Sequence, residues 1–135
     1  DGNKPVGGEW NFDADNRASF GKAGPQHVPV PAQFEPDEIT QAVISLVHLR
    51  FATHAGKLDA FAWPVTQSQA QQALQRFIFE RLPHFGQYED AMWTNEPWLY
   101  HSHLSAALNL KLLNPREVVV RLKVPRSEEH TSELQ

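Results

Sequence analysis

The sequence predicts a mainly α fold in which an extended segment precedes a set of short helices. Three observations carry this. Proline and glycine gather mainly before Pro36, where VPVPAQFEP alternates prolines. Beyond it, apolar residues recur at helical spacing. Two of those apolar runs open with side chains suited to capping, Thr66 and Asn114. With 41% hydrophobic residues in 135, the chain can build a modest core.

Residues 1–36 read as an interdomain linker or wrapping segment, with turn signals GG, DN and GP. Within them WNFDADNR offers Trp10 and Phe12 as anchors, and Asp13, Asp15, Asn16 and Arg17 as polar turn chemistry. PDEITQAVISLVHLRF is the first helix. Pro36 suits its first turn, Asp37 and Glu38 complement the positive end of the dipole, and Ile39, Ala42, Val43, Leu46 and Val47 share a face. His48 and His54 lack a nearby third ligand and read as surface or capping histidines, not a metal pair.

The second helix, in WPVTQSQAQQALQRFIFERLP, opens with a T-x-x-Q capping box at Thr66 and Gln69. Its stripe of Ala70, Ala73, Leu74, Phe77, Ile78 and Leu82 is core, and Pro83 is expected to end it. An aromatic-rich connection, HFGQYEDAMWTNEPWLY, follows with turn residues Gly86, Thr94, Asn95 and Pro97. Trp10, Trp63, Trp93 and Trp98 read as packing anchors before any electron relay. A third helix is expected from Ser102 in LYHSHLSAALNLKLL, and a fourth in NPREVVVRL, with Asn114 as cap, Pro115 first and Glu117 at N3.

Composition excludes several classes. At a net charge of -4, nothing is basic enough to argue for a nucleic-acid partner on charge alone. Cysteine is absent, so these residues form neither a disulfide framework nor a thiolate metal site. No apolar run approaches the length of a bilayer crossing. The last ten residues, RSEEHTSELQ, back-translate codon by codon into a sequence similar to a widely used short-read sequencing adapter. Residues 126–135 are therefore expected to be a non-native tail, and the natural chain to have been cut near Pro125. Without them Lys plus Arg becomes 11 and Asp plus Glu 13, a net charge of -2.

The chemistry-bearing stretch is the entrance of the third helix. With Ser102 as N-cap, the backbone N–H groups of His103, Leu104 and Ser105 have no partner inside the helix. Free amides, two hydroxyls and two imidazoles suit a phosphate. The residues alone favour a plain N-cap over a phosphate site. His101 and His103 are two apart, do not share a helix face, and have no completing ligand, so zinc is not expected. Neither GxSxG, a P-loop, GxGxxG nor HExxH occurs. Glu89 and Asp90 are too unspecific to propose as an acid and base pair.

Longer stretches carry a more specific signal. GGEWNFDADNR, FEPDEITQAVISLVHLRF, FAWPVTQSQAQQALQRFIFERLPHFGQYEDAMW and YHSHLSAALNLKLLNPREVV, in this order, resemble the bacterial cryptochrome and DNA photolyase family that contains an iron–sulfur cluster. The resemblance covers nearly everything from Pro5 to about Val120. It implies a parent flavoprotein with an N-terminal α/β antenna domain, a linker and a C-terminal all-helical domain holding FAD. Residues 1–36 would be the linker, and residues 37–125 an incomplete FAD-binding domain that is inactive alone. Such parents repair ultraviolet photoproducts in DNA with light or act as blue-light receptors. The iron–sulfur cluster and antenna chromophore would belong to parts of the parent outside these residues. The implied partner is UV-damaged DNA, and the implied state is a cytoplasmic monomer without membrane attachment.

HSHLS resembles the family's T-S-R-L-S pattern, in which a helix entrance binds the FAD phosphates. By position, His101 stands at the Thr, Ser102 at the Ser, His103 at the Arg, Leu104 at the Leu and Ser105 at the second Ser. His103 in place of Arg removes a permanent charge and a fork of donors. Tyr88 resembles the tyrosine shortly before this motif that touches the flavin cofactor. No residue present is expected to be catalytic, since the cofactor carries the chemistry. The alternative reading is a small helical interaction module without a cofactor.

Overall fold

A computed structural model of the chain describes residue 5, residue 8 and residues 17–123. The readings placed on Trp10 to Asn16 and on residues 126–135 lie outside the described residues. Helices and irregular connections account for the described residues, with no strand among them, and the chain is mainly α.

Helix α1 spans Glu38–Arg50. Asp37, in extended conformation, is its N-cap and accepts a hydrogen bond from the Thr40 amide at 2.8 Å. Pro36 therefore lies just outside the helix, not in its first turn as expected. Bonding from Thr40 holds the Asp37 carboxyl below its usual range. Most of the predicted stripe does not form the buried face: Ile39 is 76% exposed, and Ala42, Val43 and Leu46 are exposed too, leaving only Val47 half-buried. Thr40 is buried instead, with Ile44 and Val47 half-buried. Thr40, Ile44 and Val47 have helical spacing too, so periodicity allowed two faces and packing selected the less apolar one.

Helix α2 spans Gln67–Arg76. The capping box forms as read: the Gln69 amide donates to Thr66 Oγ1 at 3.2 Å, and Gln69 Oε1 accepts from the Thr66 and Val65 amides at 3.2 and 2.9 Å. Ala70 and Leu74 are fully buried. Pro83 does not end this run. A π-helical turn over Phe77–Arg81 follows α2 directly and leads into helix α3, Leu82–Tyr88, which carries Pro83 in its first turn. There its missing N–H costs nothing, which explains why the chain stays helical to Tyr88.

Helix α4 is short, Ser105–Asn109, and helix α5 spans Pro115–Lys123. Asn114 caps α5 as expected, its Oδ1 accepting from the Arg116 amide at 2.9 Å. Glu117 pairs with Arg121 one turn on at 3.4 Å and accepts from Gln71 Nε2 at 2.9 Å.

The chain divides into two compact units, Asp1–Val30 with Phe77–His103 and Pro31–Arg76 with Leu104–Gln135. In the first, the buried side chains are Phe77, Ile78, Arg81, Ala91, Leu99 and Tyr100. In the second they are Thr40, Ala70, Leu74, Leu104, Ala107, Leu113 and Val118. Among the described residues, no helix is long and apolar enough to cross a membrane.

Candidate phosphate-binding segment and its aromatic support

In the first unit an aromatic cluster forms around the end of α3. Tyr88 is half-buried and packs in a triangle of rings with Phe20 and Tyr100, its centroid 4.6 and 5.7 Å from theirs and theirs 6.3 Å apart. The His84 ring lies 5.0 Å from Tyr100. Trp93 meets Phe20 edge-on at 6.4 Å, the T-shaped geometry that aromatic quadrupoles favour. Tyr100 is 6% exposed and donates its hydroxyl to the Gln26 carbonyl at 3.0 Å. Burial, with Tyr88 beside it, pushes its pKa up.

Arg81 closes the π-helical turn and is only 3% exposed. Its Nε donates to the Leu99 carbonyl at 3.3 Å, and Nη2 donates to the Pro29 carbonyl. These bonds tie the start of the 99–103 loop to the turn. The backbone there takes two left-handed residues, Leu99 at φ 41° and His103 at φ 57°.

That backbone explains where the expected helix start went. Ser102 is not an N-cap: the left-handed His103 interrupts the helical path, and α4 begins three residues later with Leu104 before it. Within the first unit His101 is exposed, its amide donating to the Trp98 carbonyl at 3.3 Å, and Ser102 is half-buried. His103 is half-buried, with its ring 5.0 Å from Trp98 and Nε2 3.2 Å from the Trp98 carbonyl. Burial lowers its pKa, and the nearby charges of Arg81 and His101 push the same way. It is therefore neutral near pH 7 and supplies no fixed charge there.

In the second unit Leu104 is buried and Ser105 exposed. Ser105, Ala106 and Ala107 form the first turn of α4, whose first α-helical bond runs from the Leu108 amide to the Leu104 carbonyl at 3.0 Å. The amides of Ser105, Ala106 and Ala107 thus have no intrahelical acceptor. With five residues, α4 has a short dipole, so hydroxyl and amide donors matter more than the macrodipole. Exposed Ser105 and these amides are donors of the kind a phosphate oxygen accepts. Among the described residues, no group of three His, Asp or Glu side chains is placed to hold a metal ion.

Sequence reading missed Phe20, His84, Arg81 and Tyr100. A signal existed for Arg81, which follows Phe77 by four and Ile78 by three and so falls on the apolar stripe. An arginine there must find buried acceptors.

Comparison with known proteins agrees with the resemblance. Residues 1–63 match the family model described as deoxyribodipyrimidine photo-lyase-related protein. A (6-4) photolyase of Agrobacterium fabrum (strain C58 / ATCC 33970) is 44% identical over 119 residues, 87% of this chain and 23% of the relative. The chain thus spans about a quarter of the length of the curated relative it matches. A match of that extent necessarily includes residues 101–105. The family match at one end and the identity across most of the length show that the chain is similar to photolyase-related proteins.

Proposed function

We propose that the chain is the linker and first helices of a light-driven DNA-repair flavoprotein or a related blue-light cryptochrome. Its contribution is to bind the phosphates of FAD through His101, Ser102, His103, Leu104 and Ser105, with Tyr88 beside the cofactor. The observation that carries this reading is the 44% identity to a (6-4) photolyase across a stretch that includes these positions.

Each residue has a distinct task. Ser102 and Ser105 donate hydroxyl hydrogen bonds to phosphate oxygens, and the first amides of α4 add backbone donors. Leu104, 4% exposed, anchors the segment by its side chain, and only its backbone faces the ligand. His103 acts by holding the loop against Trp98, the role left to a neutral imidazole where the family pattern has arginine. Exposed His101 adds a donor, and half-buried Tyr88 offers the ring surface that Phe20 and Tyr100 leave uncovered. When bound, FAD supplies photoinduced electron transfer to a crosslinked pyrimidine pair in UV-damaged DNA. The iron–sulfur cluster and antenna chromophore belong to other parts of the parent, a cytoplasmic monomer.

The test is an ADP titration of the isotopically labelled chain, since ADP carries the adenosine and diphosphate portions of the cofactor. Amide shifts should concentrate at residues 101–107 and saturate. Ser102→Ala with Ser105→Ala should weaken binding at least about tenfold, the equivalent of one charge-assisted hydrogen bond. Shifts that ignore this segment, or survive the double substitution, would refute the assignment.

A further inference from the structure

A concave site lies wholly within the second unit, away from the phosphate segment in sequence. It is a cleft of about 380 Å³ between the extended residues 33–36, one side of α1, and residues 58–62. The Phe34 amide donates to the Ala62 carbonyl at 3.1 Å and ties the two walls formed by residues 33–36 and 58–62 together. A turn from the Phe61 amide to the Leu58 carbonyl, 3.0 Å, shapes the far wall. Ile44 and His48, one helical turn apart on α1, contribute the remaining side.

The chemistry of the lining is divided. Phe34, Ile44, Leu58 and Phe61 are half-buried apolar walls. Glu35, Asp59 and His48 stand exposed around them. None of these three side chains makes a hydrogen bond or ion pair with another described residue. No lysine or arginine lines the cleft. A volume of this size matches small-ligand pockets, which combine apolar walls with a few polar groups that set orientation. Two carboxylates without a cationic partner among the described residues set the sign of the ligand.

We infer that this cleft binds a small organic cation with a flat apolar body, such as an aryl amidine or amine. The ring lies against Phe34, Ile44, Leu58 and Phe61, and the cationic head faces Glu35 and Asp59. An amidinium is the better head because its paired N–H donors match a carboxylate edge.

The experiment titrates the labelled 135-residue chain with benzamidine, and in parallel with benzoate, which has the same ring and the opposite charge. Benzamidine should give saturable amide shifts confined to residues 33–36, 44–48 and 58–62, and benzoate none. Glu35→Gln with Asp59→Asn should weaken benzamidine about fivefold, as expected for two solvent-exposed charge contacts. A second variant, Ile44→Trp, fills the cleft and should abolish binding while both carboxylates remain. The proposal fails if benzamidine produces no saturable shift, shifts other residues, binds no better than benzoate, or binds either variant as it binds the unmodified chain.

Discussion

Gly24 illustrates how a single residue is fixed by its neighbours. Its φ is 72°, and a Cβ placed on it would lie 2.8 Å from ring atoms of Trp93. Gly21 has a similar φ of 63° but open space around it. Gly24→Ala should therefore cost about 1–3 kcal/mol by urea unfolding, and Gly21→Ala measurably less, because only the former adds a clash to backbone strain. Equal losses would mean that Trp93 does not pack on Gly24. His103 makes a second prediction at this scale. Its folded pKa is depressed, so the unfolded chain takes up the proton first as pH falls below the ordinary value of 6.5. The stability it contributes is present above that value and is lost as pH drops towards the folded pKa. Urea midpoints at pH 7.5 and 5.5 should differ, and His103→Gln should reduce the difference. The same residue marks a limit of sequence reading. HSHLS displayed the donors, but nothing in the letters shows that His103 takes a left-handed φ and delays the helix to Ser105. That conformation depends on Trp98 and Leu99 contacts made by the folded loop.

At the scale of elements, caps were legible because they are local. Thr66 and Asn114 each bond an amide two or three residues on, a geometry that sequence spacing specifies, whereas Asp37, read only as a complement to the dipole, proves to be the cap of α1. Thr66→Ala should cost about 1 kcal/mol, since it removes one half of a reciprocal box. A loss below a few tenths would mean the box adds nothing. Faces and ends were less legible, because they depend on partners distant in sequence. Helix α1 has two apolar spacings, and only packing decides that Thr40, Ile44 and Val47 turn inward. Leu49, 82% exposed, should accept Leu49→Lys within about 0.5 kcal/mol. A larger loss would place Leu49 in a contact of the folded chain. Pro83 misled for a similar reason: a proline forbids a helix interior but suits a first turn, and the π-helical turn before it creates one.

For the whole molecule, the mainly α class was readable from helical spacing and caps, and the family resemblance from long ordered stretches. The division into two units was not, since each unit joins segments far apart in the chain. The aromatic cluster also escaped, because Phe20, Tyr88 and Tyr100 meet only after the loop folds back. The central claim is that this chain performs the cofactor-holding task of the matching segment in a photolyase. The most direct measurement replaces that segment of the Agrobacterium (6-4) photolyase with the matching residues of this chain and determines flavin content per folded protein. The account predicts that the chimera purifies with flavin, and that Ser102→Ala with Ser105→Ala within it strips much of that flavin. A folded chimera without flavin, or one whose flavin content ignores both serines, would contradict it.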